Sequence, residues 1–308
     1  MARRVFLTGG SGFVGSAMID ELLNRGWAVR ALANRRAVRR ADAVELVRGE
    51  LFDAAALAEG LAGCEAVIHL VGIIAEQPGR GVTFERIHAE GTRAVVDATR
   101  RAGVRRYVHM SALGTRPGAV SRYHRTKHEA EEHVRASGLD WTILRPSMIH
   151  GPGGDFMRME AAWARGRAAP FLFMPYFGAG TAGRGGAGKL QPVDVRDVAR
   201  AFVDALEKPA TVGKTYPLAG AQVVTWPEMH RAVAEAVTGR RRRWVMPLPA
   251  WWAKALTRVA PAKLLPFNRE QVEMSQEDNT AEMGEFVRDF GWTPAAFEER
   301  LKAFAADL

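Results

Sequence analysis

The run Val5-Phe6-Leu7-Thr8-Gly9-Gly10-Ser11-Gly12-Phe13-Val14-Gly15 leads at once into the helical stripe Met18, Ile19, Leu22 and Leu23, which Gly26 closes. A short apolar strand delivered onto a glycine-rich turn that opens a helix is the arrangement that docks a dinucleotide pyrophosphate. Gly9 makes the tight turn, Gly12 lets backbone approach phosphate, and Gly15 lets the helix pack closely on the strand. The phosphates then rest on the helix N-terminus, where N–H groups without intrahelical acceptors and the helix dipole favour an anion. A loop of small residues serving turn geometry alone is the competing explanation, and the strand before it and the amphipathic stripe behind it argue against that. Gly9, Gly12, Phe13, Val14 and Gly15 are the expected phosphate contacts.

Strand-like runs then alternate with helical ones. Val5 to Thr8, Ala28 to Ala33, Val44 to Val47, Ala66 to Val71, Arg106 to Met110 and Trp141 to Leu144 read as strands. Ser16 to Arg25, Ala54 to Leu61, Phe84 to Ala102 and Tyr123 to Ser137 read as helices, the last two ending at Gly103 and Gly138. Apolar strands without clean alternation, separated by helices, predict a parallel sheet covered on both faces. The expected fold is α/β, a doubly wound parallel-sheet Rossmann fold with a smaller, mainly helical C-terminal substrate lobe. Residues 1–150 are expected to form the dinucleotide-binding domain. Gln191 to Val193 and Thr215 to Leu218, short strands flanking a helix over Val195 to Glu207, are expected to bring 190–220 back to that sheet. Residues 151–189 and 221–308 are expected to make the small substrate or partner lobe, in which the glycine-dense tract 178–188 reads as a surface loop.

With 308 residues, 47% apolar and 25% charged, the chain has an ordinary globular balance. The net charge of +9 invites a nucleic-acid partner. However, the arginines are dispersed, and their two clusters, Arg35 to Arg40 and Arg240 to Arg243, lack interleaved aromatics, so no nucleic-acid partner is expected. The single cysteine, Cys64, leaves no disulfide framework, and no His/Asp/Glu constellation has metal-ligand spacing, so no metal is expected. Arg3 and Arg4 precede only three apolar residues before the turn, and no apolar run is long enough to span a bilayer. A cytoplasmic protein, peripheral at most to the inner face of a membrane, is the expectation.

A carboxylate about twenty positions beyond the glycines marks NAD by binding the ribose 2′-hydroxyl. The corresponding place here reads Ala33-Asn34-Arg35-Arg36, an amide followed by guanidinium groups able to hold a 2′-phosphate. NADP(H) is therefore expected over NAD(H). Glu50 and Leu51 after the third strand, and Leu70, Val71 and Gly72 after the fourth, are positioned to contact adenine and ribose.

Tyr123-His124-Arg125-Thr126-Lys127 opens the helix after the fifth strand, and positions four apart share a helical face. With four Tyr and seven Lys in the chain, such a pair is expected only about 0.1 times by chance. Lowering a phenol from its usual pKa near 10 to about 7 needs about 4 kcal/mol. An ammonium about 4 Å away, at an effective dielectric near 20, supplies about that much. Tyr123 is thus the expected general acid/base with Lys127 tuning it, and Ser111 at the end of the fifth strand is expected to hold the substrate oxygen.

The glycine turn taken with Ser111, Tyr123 and Lys127 resembles the short-chain dehydrogenase/reductase superfamily. The resemblance implies that tyrosine is the acid/base, that Lys127 also binds the nicotinamide ribose, and that serine positions the carbonyl. Gly91-Thr92, Arg145-Pro146-Ser147 with Gly151-Pro152, and Val193 with Asp197-Val198-Ala199 are similar to the extended, epimerase/dehydratase-like branch, which adds Pro146 to the cofactor contacts. Ser111-Ala112-Leu113-Gly114, Ser137 to Thr142 and Gln191-Pro192-Val193 resemble an atypical subgroup that includes the NADPH-binding accessory subunit of respiratory complex I and its bacterial relatives. Two departures stand out: only twelve positions separate Ser111 from Tyr123, and His88 occupies the place of a frequent family asparagine.

Two functions follow. The first is an NADP(H)-dependent oxidoreductase acting on a carbonyl or alcohol, with a small-molecule substrate whose apolar character is left open. The second is a non-catalytic NADPH-binding structural or assembly subunit. Trp244 to Val259, where Trp251, Trp252 and Leu256 alternate with Lys254 and Arg258, leaves peripheral membrane or respiratory-complex contact open, with core packing as the competing use of the same stripe.

Overall fold

In a computed structural model the described residues are 3–34, 36–178, 180, 188–239, 243–259, 265 and 267–308. Ala179, residues 181–187 of the expected glycine-dense loop, and Arg240 to Arg242 of the second arginine cluster lie outside them. The chain divides into two compact units.

The first unit comprises Met1–Pro146, Val195–Leu218 and Glu282–Trp292. Its strands are β1 (Arg4–Thr8), β2 (Ala28–Ala33), β3 (Glu45–Arg48), β4 (Ala66–His69), β5 (Arg106–Met110) and β6 (Asp140–Pro146). Together with the strand Lys214–Leu218 they form one parallel sheet in the order Lys214–Leu218, β6, β5, β4, β1, β2, β3. The order reverses between β1 and β4, and such a switch point opens the crevice in which open α/β sheets bind ligands. Helices α1 (Phe13–Asn24), α2 (Ala54–Leu61), α3 (Gly91–Arg101) and α4 (Arg122–Arg135) connect the strands.

Both sheet faces are covered, as near-continuous apolar strands require. On one face Phe6, Val67, Tyr107 and Ile143 pack with Leu57 and Leu61 of α2 and Val95 of α3. On the other, α1 packs against the helix Val195–Glu207. This is the doubly wound Rossmann architecture expected from the alternating pattern. One strand is shorter than expected: β4 stops at His69, and Leu70 to Gly72 leave the sheet as a loop.

The C-terminal run is divided differently from expectation. Glu282–Trp292 joins the sheet unit, because Asp289 binds Lys214 Nζ at 2.6 Å and Tyr216 Oη at 2.7 Å, and Phe290 packs edge-on against Tyr216.

The second unit comprises Ser147–Asp194, Ala219–Ala281 and Thr293–Leu308. The segment around Gln191 does not return to the main sheet. Lys189–Leu190 pairs with Val224–Thr225, and Val193–Asp194 pairs with Ile149–His150. Pro192, which has no N–H, interrupts any longer ladder, and the Gln191 amide is engaged with Gly220 O and Ala281 N. The helices Asp155–Ala164, Trp226–Thr238 and Phe297–Phe304 surround a core of Met157, Met229, Val233, Phe297 and Leu301.

Candidate active site

The turn after β1 has the shape its glycines require. Gly9 sits at φ +83°, and a Cβ there would meet the Leu70 carbonyl carbon and Val71 N at 3.2 Å, so this turn lies directly against the residues leaving β4. A Cβ on Gly15 would lie inside van der Waals contact of Gly9 O, so only glycine lets α1 come this close. Gly12 precedes α1 and no side chain caps it. The first-turn N–H groups of Phe13, Val14 and Gly15 therefore face the turn as donors for an anion. These features fit a dinucleotide pyrophosphate.

Thr8, at the end of β1, is fixed from below: its Oγ1 is 2.6 Å from His69 Nδ1, while His69 Nε2 is 3.2 Å from Thr92 Oγ1. Burial, and then the Lys127 charge, lower His69 to about 3, so this imidazole is neutral. His109 stacks on it at 5.5 Å, fully buried, with no hydrogen-bond partner among the described residues.

At the far end of the crevice floor, Asn34 is exposed and its Nδ2 lies 3.4 Å from Glu50 Oε1. Arg35 falls outside the described residues; Arg36 is exposed. Arg39 and Arg40 are drawn back to Asp20, at 3.6 and 3.8 Å. Leu51 packs beneath the start of α3, where it would clash with a Cβ on Gly91.

Tyr123 and Lys127 lie one turn apart on α4, and Glu131 continues the same face one turn further. Lys127, 2% exposed, donates from Nζ to Met110 O at 3.0 Å, and a Cβ on Gly72 would lie 3.0 Å from that Nζ. The ammonium thus touches the end of β5 and the segment after β4 together. Burial lowers Lys127 to about 8, against the opposing pull of the Glu131 carboxylate. Tyr123 is half-buried, its ring meeting Phe84, His88 and His124 edge-on at 6.0, 5.2 and 5.3 Å. The expected depression of the phenol is absent. Burial pushes Tyr123 up to about 12, because aromatic rings and a neutral imidazole surround it while the Lys127 ammonium is directed to Met110 O.

Ser111 is buried just past the end of β5. Its Oγ donates to Thr115 Oγ1 at 3.4 Å. Glu131, itself fully buried, accepts from Arg145 Nε at 2.7 Å and Nη2 at 2.5 Å, and from Arg135 at 2.8 Å. Burial alone would raise its pKa, but the Arg145 fork, Ser111 and Arg135 outweigh that and hold it below the usual carboxylate range. Pro146, next to Arg145, closes β6 and accepts from Leu113 N at 2.8 Å, which fixes the short turn after β5.

Two positioning groups escaped the sequence reading. Glu131 had a usable signal, since it stands four residues after Lys127. His88 had only its unusual place before Gly91-Thr92. It lies on a six-residue π-turn, Glu85–Glu90, that runs into α3. Its Nε2 accepts from Ile73 N at 3.1 Å, so Nδ1 carries the proton toward Thr126 Oγ1 at 2.9 Å. Burial, then the Lys127 charge, depress it to about 2.

Residues 9–161 match an NAD(P)H-binding family profile. A (4-alkanoyl-5-oxo-2,5-dihydrofuran-3-yl)methyl phosphate reductase from Streptomyces griseus is 32% identical over 244 residues, covering 78% of this chain and 76% of that protein. The chain belongs to the NAD(P)H-binding short-chain dehydrogenase/reductase superfamily. Another relative is the Arabidopsis thaliana mitochondrial protein named NADH dehydrogenase [ubiquinone] 1 alpha subcomplex subunit 9. It is 31% identical over 209 residues, covering 67% of this chain and 49% of that protein, so the match spans about half of that relative's length. The structure of MoeE5 in complex with UDP-glucose and NAD has the same fold, with a TM-score of 0.75 at 20% identity over 99% of this chain and 98% of that one. In this superfamily member no helix among the described residues is long and apolar enough to cross a membrane.

Proposed function

We propose that this chain is an NADP(H)-dependent reductase of small carbonyl compounds, with Tyr123 as the proton donor. The observation that carries the reading is the placement of the Lys127 ammonium against both Gly72 and Met110 O, one helical turn from Tyr123. The bound nicotinamide would supply the hydride. The glycine turn and the first-turn N–H groups of α1 hold its pyrophosphate, and Leu70, Val71 and Gly72 line the ribose side. Lys127 donates to the ribose hydroxyls from a fixed position. Tyr123, raised to about 12, stays protonated across the physiological range and gives its proton to the carbonyl oxygen as negative charge develops there. Ser111, buried just past β5, would hold the carbonyl oxygen by turning its hydroxyl from Thr115 toward it. Asn34 and the exposed Arg36 support NADP(H) over NAD(H), since neither repels a 2′-phosphate. The Streptomyces griseus reductase supports the reductive direction.

NADPH oxidation measured against a panel of aldehydes, ketones and enones tests this. A Tyr123→Phe variant should lose about 10²-fold or more of the rate while its NADPH dissociation constant barely moves. The Arabidopsis thaliana relative favours a second reading, a cofactor-binding subunit without turnover. Wild-type protein that NADPH stabilises against heat, but that reduces nothing on the panel, would decide for it.

A further inference from the structure

We propose that the second unit seats the protein on an anionic lipid surface through an apolar ribbon and the helix that follows it. The strands Phe173–Gly178 and Trp244–Pro249 run parallel, with Trp244 opposite Phe173, Val245 opposite Met174 and Met246 opposite Pro175. Met174 and Val245 turn inward, onto a small core of Trp163, Ala164 and Ala234. Side chains alternate along a strand, so Phe173, Pro175, Trp244 and Met246 turn outward. A two-stranded ribbon with one solvated face ordinarily places polar residues there. Here all four are apolar. Phe171 and Leu172 extend this face at one end, and Trp251 and Trp252 of the helix Ala250–Val259 follow directly from the second strand. Phe171, Leu172, Trp244, Met246, Trp251 and Trp252 are each between 43% and 75% exposed.

Charge selects the occupant. No Asp or Glu occurs between Glu160 and Asp194, or between Glu235 and Glu270, so the segments that build this face carry only cations. Arg165, Arg167, Arg243, Lys254 and Arg258 lie in the same segments as the apolar residues. Tryptophans beside cations match the headgroup region of a bilayer: the rings settle at the boundary and each cation gains about 1 kcal/mol from an anionic leaflet. These segments offer a protein partner no carboxylates for ion pairs of mixed sign, whereas an anionic surface matches the cations they carry.

The test is co-sedimentation of the full-length protein with vesicles of phosphatidylcholine alone or with about one-third phosphatidylglycerol. Binding is expected with the anionic vesicles at low salt, weaker binding at high salt, and little to the neutral ones. A Leu172→Ser, Trp244→Ser, Trp251→Ser variant should lose about tenfold or more in partition. A Lys254→Glu, Arg258→Glu variant should lose the preference for anionic lipid. Both should keep the thermal stabilisation by NADPH, which reports an intact fold. No sedimentation with anionic vesicles at low salt, equal binding to neutral ones, or binding that the serine variant retains would each overturn the proposal. A dimer in sedimentation velocity that the serine variant dissolves, without vesicle binding, would assign the face to a second copy of the chain instead.

Discussion

His88 accepts the Ile73 backbone N–H at Nε2 across 3.1 Å, and so ties the segment leaving β4 to the helix that carries Tyr123 and Lys127. One side chain thereby couples the segment leaving β4 to the helix that carries Tyr123. Replacing it by Phe keeps the volume and removes the acceptor, leaving the Ile73 N–H and Thr126 hydroxyl without their partner. A loss of about 1–3 kcal/mol is expected for the unsatisfied group. The melting temperature of His88→Phe should therefore fall by several degrees and its NADPH affinity should weaken, both read by thermal shift with and without cofactor. An unchanged midpoint would show that the imidazole positions nothing.

Glu131 has no exposed surface and is enclosed by cations, so its charge depends on the Arg145 fork. Removing one partner of a buried pair strands the other, at a cost of about 3–5 kcal/mol. Urea unfolding of Arg145→Met should show a loss toward the lower end of that range, because Arg135 still pairs with Glu131 at 2.8 Å, with Glu131→Gln losing less because the two arginines it leaves are each partly exposed. Glu131→Gln also withdraws the carboxylate that opposes the fall in the Lys127 pKa, so Lys127 should titrate below about 8, readable as an alkaline limb in NADPH binding that shifts to lower pH.

Acid should destabilise the sheet unit early. His69 is depressed to about 3 and His88 to about 2, both first by burial, so between pH 6.5 and these values they are protonated only in the unfolded chain. The unfolded state then binds more protons, and stability rises with pH across this window and is lost as pH falls through it. Each imidazole adds a slope approaching ~1.4 kcal/mol per pH unit. Melting temperatures from pH 7 to pH 4 should drop steeply, and His88→Phe should flatten the slope. A flat profile across this range would mean that these imidazoles protonate in place.

The fold was legible because its signals are local: strand and helix periods, and glycines whose φ or close approach the turn demands. The ends of Ala28–Ala33, Ala54–Leu61 and Arg106–Met110 coincide with expectation for that reason. The return of Glu282–Trp292 to the sheet was not legible, since it depends on Asp289 meeting Lys214 and Tyr216 across some seventy residues. The site divides in the same way. Spacing on one helix gave Tyr123 and Lys127 a shared face, but the pKa of the phenol depends on what else surrounds it, and no pattern in the sequence reports that Phe84 and His88 do.

The absence of a carboxylate at the end of β2 motivated the preference for NADP(H), yet Glu50 reaches across from the end of β3 to within 3.4 Å of Asn34 Nδ2. In this fold the residue ending β2 meets the adenosine ribose. A carboxylate so close would oppose a 2′-phosphate by about 1 kcal/mol in a partly solvated site, while it could accept from a 2′-hydroxyl. Arg36 acts in the opposite sense. Glu50→Gln is therefore expected to tighten NADPH about fivefold relative to NADH, and Arg36→Ala to weaken NADPH by a similar factor with NADH unchanged. Dissociation constants for both cofactors, measured on both variants at fixed ionic strength, separate the two charges. If Arg36→Ala leaves the NADPH constant where it was, the guanidinium decorates a loop and the NADP(H) assignment loses its support.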